Sequence, residues 1–95
     1  MHYVYILVSQ RWKNQTYVGM TSNLRKRLSE HNSGKSGHTK RFLPWGIMFY
    51  AAFPEKVTAE RFERYLKSGS GRAFAGKHLI PVVRPEDSER DFAMV

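Results

Sequence analysis

The chain contains no cysteine, which excludes disulfides, thiolate metal ligands and a cysteine nucleophile. No run approaches the ~18 apolar residues of a membrane-spanning helix. Met1–Val8 also lacks the basic-then-apolar order of a signal peptide, so the expectation is a cytoplasmic protein with no membrane partner. Acidic residues are scarce: residues 1–80 hold no aspartate and only four glutamates, Glu30, Glu55, Glu60 and Glu63. Two-metal nucleases and polymerases gather several carboxylates around a metal pair, and glycosidases need a carboxyl pair. This chain is poorly equipped for both. Its histidines, His2, His31, His38 and His78, show no HxxxH or HxH spacing, so a zinc site is not expected. Walker A and dinucleotide fingerprints are absent. A single-metal site built on one glutamate stays open.

Positive charge, in contrast, is abundant. The net charge is +8, from sixteen Lys/Arg against eight Asp/Glu. Four of the acids (Glu86, Asp87, Glu89, Asp91) and two of the bases (Arg84, Arg90) lie beyond residue 80. Residues 1–80 therefore carry fourteen bases against four acids, a net of +10. Such a body attracts a polyanion, most simply nucleic acid, through counterion release. Membrane surfaces and ribosomal RNA attract the same charge, so charge names only a class of partner. Ninety-five residues, 41% apolar and 14% aromatic, make one folded domain. The expected division is a domain over residues 1–80 and a loosely attached mixed-charge tail over 81–95.

His2–Val8 is rich in β-formers and reads as a nearly continuous apolar strand. Ser9–Gln15 suits a hairpin turn, and Thr16–Gly19 reads as a second, antiparallel strand. Asn23 is a candidate N-cap for a helix over residues 24–31. Leu24 and Leu28 mark its buried side, with Arg27 and His31 at i and i+4 on the flank. His31–Gly34 is a glycine-bearing stop. Lys35–Lys40 reads as a small, basic, mobile loop, either a solvated connection or a strand-gripping segment carrying His38, Lys40 and Arg41. Gly46–Phe53 is a third strand, apolar on both faces and so expected to be central or well covered. Thr58 is a candidate cap for a second helix over Ala59–Leu66, with Ala59, Phe62, Tyr65 and Leu66 inward and Glu63 nearer that side than Glu60. Ser68–Gly71 reads as a flexible break before a short third helix over Arg72–Leu79.

Tyr3-Val4-Tyr5, then Tyr17-Val18-Gly19, Asn23-Leu24, Arg27 and His31, with Glu63 on a later helix, resemble the GIY-YIG endonuclease domain. The likeness covers about residues 2–75, and FERYLKSGSGRAFA is similar to the small stand-alone bacterial members. The resemblance implies an α/β (α+β) fold, a small three-stranded antiparallel sheet flanked by helices. It implies a metal-dependent DNA endonuclease, structure- or repair-related, that hydrolyses phosphodiester bonds with one Mg²⁺ or Mn²⁺. Carried over residue by residue, the catalytic set is Tyr5, Tyr17, Arg27, His31 and Glu63, with Glu63 as the metal ligand. Arg27 neutralises charge on the phosphoryl group, and one tyrosine orients or deprotonates the attacking water. Tyr5 is favoured as base, with His31 assisting, but the order stays open. The expected DNA-gripping cations are Arg25, Lys26, Lys35, Lys40, Arg41, Lys67 and Arg72. A protein partner for targeting is also compatible with the resemblance. Two departures stand out: Tyr3 replaces the usual glycine, and no asparagine follows Glu63, since Asn14, Asn23 and Asn32 all precede it.

Each residue also has a structural reading. Strand tyrosines are commonly core-edge aromatics, Glu63 can pair with Lys67 at i+4, and His31 can cap its helix C-terminus. The alternative function is a catalytically inactive nucleic-acid-binding module on the same scaffold, with Phe42, Trp45, Phe49 and Tyr50 stacking single strands beside Lys40 and Arg41. A third reading is a basic protein that binds RNA or a protein partner, which accounts for the charge but not for the Tyr–Tyr–Arg–Glu set.

Overall fold

The computed structural model describes residues 1–37 and 39–79. The expected tail at 81–95 and the His38 position lie outside the described residues. The apolar run at the N-terminus forms β1 (His2–Ser9), and a polar turn returns the chain as β2 (Thr16–Thr21). Next come helix α1 (Leu24–Asn32), a single 3₁₀ turn over Lys40–Phe42, and β3 (Trp45–Phe53). Helices α2 (Lys56–Lys67) and α3 (Gly69–His78) complete the order. The sheet is antiparallel with strand order β2-β1-β3. This is the three-stranded α+β arrangement that the sequence predicts.

β1 is the central strand, and every residue from Val4 to Ser9 is buried. Its side chains alternate. Val4 and Ile6 pack with Ala59, Leu66 and Ala75 under α2 and α3. Tyr5 and Leu7 face the other way, with Trp45 and the Leu24 and Leu28 side of α1. The sheet is thus sandwiched between α1 on one face and the α2–α3 pair on the other.

Three expectations are corrected. β3 is an edge strand, not a central one, and Ile47 and Tyr50 remain 38% and 56% exposed. Its apolar run is shifted by a bulge: Ile6 faces Phe49 but Leu7 faces Ile47, so Met48 has no ladder partner. Helix α2 begins before Thr58, with Glu55 at the N-cap position and no side-chain cap. Within it Ala59 and Leu66 are buried, whereas Tyr65 is 40% exposed. The SGSG segment is not a flexible break. Ser68 alone separates the helices, and its hydroxyl accepts the Gly71 N–H at 3.1 Å to cap α3.

The start of α1 is as expected, with Asn23 Oδ1 accepting the Lys26 N–H at 3.1 Å. Its end is anchored by Asn32, whose amide donates to the Trp45 carbonyl (3.0 Å) and accepts the Trp45 N–H (2.6 Å). The chain then turns at Gly34, whose φ of +81° favours a residue without a Cβ. This two-bond clamp fixes α1 against the first residue of β3, and with it the side chains α1 presents to the sheet.

Candidate active site

Tyr5 is the centre of the site. It lies on the central strand, 2% exposed, directly across the ladder from Gly19. A Cβ on Gly19 would collide with the Tyr5 hydroxyl, so the glycine lets the phenol ring pass over β2 toward the sheet edge. Tyr17, two residues earlier on β2, shares that face, and its ring centroid is 6.4 Å from that of Tyr5.

Helix α1 supplies the next two groups from adjacent turns. The His31 ring is fully buried, with Nε2 3.0 Å from the Tyr5 hydroxyl and its centroid 5.0 Å from that of Tyr17. Arg27 lies near enough for its charge to act on the Tyr5 phenol, and it donates to Glu30 Oε1 at 3.1 Å. The side chain is thus held by Glu30 while about a third of it stays open to solvent. His31 is not a helix cap, because both ring nitrogens are engaged elsewhere. Its Nδ1 lies 2.9 Å from Thr39 Oγ1.

Burial dominates the electrostatics. It pushes the Tyr5 hydroxyl above its ordinary value, an effect opposed by the nearby Arg27 guanidinium and reinforced by Tyr17 and by the negative charge of Glu63. Burial, with help from the Arg27 charge, holds His31 below the ordinary imidazole range. Desolvation alone would lower Arg27, but Glu30 and Tyr5 beside it outweigh this and leave it raised. At neutral pH the site therefore holds a phenol, a neutral imidazole and a fixed cation.

Glu63 comes from α2 on the opposite face of the sheet, near enough for its charge to act on Tyr5. Its side chain is 24% exposed and pairs with Lys67 Nζ at 3.3 Å, the i+4 pairing expected of an ordinary helix flank. Among the described residues no group of three His, Asp or Glu side chains converges. A lone accessible carboxylate still fits Mg²⁺ or Mn²⁺, which take one or two carboxylates and complete their shell with water and substrate phosphate.

The expected DNA-gripping cations are spread over α1, the segment after it, α2 and α3. Lys67 and Arg72 line a groove of about 570 Å³ together with Tyr17, between β2 and the α2–α3 pair. Arg25 borders a second groove of about 490 Å³ with Tyr3, Ile47 and Tyr50. Lys26, Lys35, Lys40 and Arg41 are exposed on α1 and the segment after it. The segment around Lys35–Lys40 is more than a solvated loop: Thr39 is 1% exposed, and its carbonyl accepts the Trp45 indole N–H at 2.8 Å. Sequence reasoning missed Thr39 as a site neighbour, since nothing in KSGHTK distinguishes an inward threonine from a solvated one. Glu30 was also missed as a partner of Arg27, although its i+3 spacing was a readable signal.

The gathering of Tyr5, Tyr17, Arg27 and His31 beside one sheet edge, with Glu63 across it, has a counterpart among known proteins. A GIY-YIG catalytic-domain model matches residues 1–77. The chain belongs to the GIY-YIG family. It is similar to a structure-specific endonuclease subunit SLX1 homolog of Cryptosporidium parvum (strain Iowa II), 39% identical over 67 residues, 66% of this chain and 16% of that protein. It is also similar to the SLX1 homolog of Drosophila mojavensis, 38% identical over 69 residues, 63% of this chain and 23% of that protein. A UPF0213 protein of Streptococcus pyogenes serotype M5 (strain Manfredo) is 33% identical over 70 residues, 73% of this chain and 76% of its own length. The chain thus spans less than a quarter of each SLX1 relative and most of the small bacterial one. Family membership makes it a GIY-YIG catalytic domain.

Proposed function

We propose that the chain is a divalent-metal-dependent DNA endonuclease, structure- or repair-related, with Tyr5, Tyr17, Arg27, His31 and Glu63 as its catalytic set. The observation that carries this reading is the buried Tyr5–His31 hydrogen bond of 3.0 Å flanked by Arg27. A phenol held above its ordinary pKa is not a standing phenolate at neutral pH. It serves as a base only if its own proton leaves as the water proton arrives. His31 Nε2 is the neutral acceptor beside it. The attacking water oxygen bonds to phosphorus as its proton passes to Tyr5, and the Tyr5 proton passes to His31. The P–O3′ bond breaks, and the leaving oxygen takes the bonding electrons and then a solvent proton. Tyr17 orients the water, and Arg27 offsets the charge growing on the phosphoryl oxygens. Glu63 is the residue that would hold Mg²⁺ or Mn²⁺, which when bound neutralises charge on a phosphate oxygen and the leaving oxygen.

DNA as the polyanion accords with the +10 body and with the endonuclease name of the SLX1 relatives. A protein partner for targeting and a cytoplasmic location remain part of this proposal. Among the described residues no helix is long and apolar enough to cross a membrane. The binding-only alternative draws little from the geometry. Trp45 is 4% exposed, Phe42 packs on Trp45 and Phe49 on Phe62, which leaves Tyr50 as the exposed member of that aromatic set.

The test is cleavage of labelled single-stranded, duplex and branched DNA with Mg²⁺ or Mn²⁺, wild type beside Glu63→Gln. The expected result is metal-dependent cutting that falls at least ~10²-fold in the variant, with DNA binding unchanged. Binding without cutting in both proteins would replace the nuclease with a binding module, and equal cutting in both would remove Glu63 from the site.

A further inference from the structure

We infer that Thr39 is a positioning residue, which fixes the protonation pattern of His31 so that its Nε2 faces Tyr5 bare and able to take a proton. The inference rests on the proposed role of the Tyr5–His31 pair and extends it outward by one residue.

The hydrogen bonds run in one line from Tyr5 to Ser36. Tyr5 lies 3.0 Å from His31 Nε2, and His31 Nδ1 lies 2.9 Å from Thr39 Oγ1. The Thr39 hydroxyl is in turn 3.2 Å from the Ser36 carbonyl oxygen. A carbonyl only accepts, so the Thr39 hydroxyl spends its proton on Ser36 and accepts from His31. Running inward from that carbonyl gives every link one donor and one acceptor. The phenol donates to Nε2, Nδ1–H donates to Thr39, and Thr39 donates to Ser36. The reverse polarity would ask the single Thr39 hydroxyl proton to serve both the Ser36 carbonyl and Nδ1, and would leave the Tyr5 proton without its acceptor at Nε2.

The remaining contacts hold Thr39 still. Its carbonyl accepts the Trp45 indole N–H at 2.8 Å, its own N–H donates to the Ser36 carbonyl at 3.0 Å, and Trp45 is clamped by Asn32. Tyr5, His31 and Thr39 are 2%, 0% and 1% exposed, so water does not compete for the middle links. Which ring nitrogen carries the proton is set by the bond the other one makes. In this protein that bond ends on a threonine from a loop whose sequence looks solvated.

The decisive measurement is the His31 tautomer, read by ¹⁵N–¹H correlation NMR of the full chain without DNA or metal, at a pH where the imidazole is neutral. The wild type is expected to carry its proton on Nδ1. Thr39→Ser keeps the hydroxyl and is expected to keep the Nδ1–H form, whereas Thr39→Val is expected to shift the population toward Nε2–H. In the cleavage assay Thr39→Val should lower kcat on the order of 10- to 100-fold, the scale of losing a partner that orients an imidazole, with KM unchanged and rescue in Thr39→Ser. An Nε2–H wild type, or an unchanged tautomer in Thr39→Val, overturns the inference whether or not the protein cuts DNA. Should valine at this position unfold the domain, the wild-type tautomer and the Thr39→Ala variant still decide. Failure of all cleavage with an Nδ1–H His31 would instead count against the nuclease reading and leave the positioning role standing.

Discussion

Arg27 shows how a single residue is prepared for phosphate. Its guanidinium donates to Glu30, which fixes the fork before any substrate arrives. Lysine has the charge but not the fork, so Arg27→Lys should lower cleavage by about 10²–10³-fold, the usual cost of one lost transition-state donor. Filter binding of uncut DNA should hardly change. Gly19 is prepared in the opposite sense, by what it lacks. Gly19→Ala sets a methyl group against the Tyr5 hydroxyl and should cost about 1–3 kcal/mol of stability as an overpacked site, together with most of the activity. A thermal melt and a cleavage assay on the same preparation check both. The glycine of the second triplet was readable in the sequence. That it exists to let Tyr5 through was not, because the ladder register that pairs the two residues belongs to the sheet.

Among the elements, α1 carries most of the site and is tied down at both ends. Asn23 caps its start, and Asn32 makes two hydrogen bonds to Trp45 at its end. Asn32→Ala removes both clamps and leaves the Trp45 backbone to find water. The expected loss is about 1–3 kcal/mol, read as a lower denaturation midpoint with an unchanged slope. The cap at Asn23 was legible because capping is a local matter of side chain and backbone. The clamp was not, since Asn32 and Trp45 are thirteen positions apart. β3 teaches the same lesson through an error. An apolar run usually signals burial on both faces, yet a bulge at Met48 and an edge position leave Ile47 and Tyr50 open to solvent.

At the scale of the whole molecule, pH stability follows from the two buried titrating groups. His31 is depressed in the folded state, so the unfolded chain binds its proton more readily. Its contribution is complete above the ordinary value of 6.5 and is lost as pH falls from there through the folded value. Tyr5 is raised, so its contribution is complete below the ordinary 10.0 and is lost as pH rises through the folded value. The melting temperature should therefore be highest between these limits and fall on either side. Tyr5→Phe should flatten the alkaline arm, and an alkaline arm unchanged by that substitution would contradict the burial. The charge of the body acts at the same scale. DNA affinity of the uncleaving Glu63→Gln protein should fall steeply with salt. Removing any one exposed cation that touches phosphate, with Lys40 and Arg41 the first to try, should reduce the log–log slope by about 1.

The sequence by itself determined the strand and helix order, the apolar character of β1, the cap of α1 and the polyanion-seeking charge. These are matters of periodicity, local hydrogen bonding and composition, and each is settled within a few consecutive residues. The family likeness was equally legible, since its triplets and its Arg–His spacing stand in order along the chain. Only the tertiary structure decided that Tyr5 reaches past Gly19 to His31, that the Arg27 charge acts on Tyr5, and that Glu63 approaches from the far face. Only the tertiary structure, too, turned Thr39 inward onto His31. A hydrogen bond between residues far apart in sequence depends on register, bulges and packing, and none of these is encoded at either residue alone.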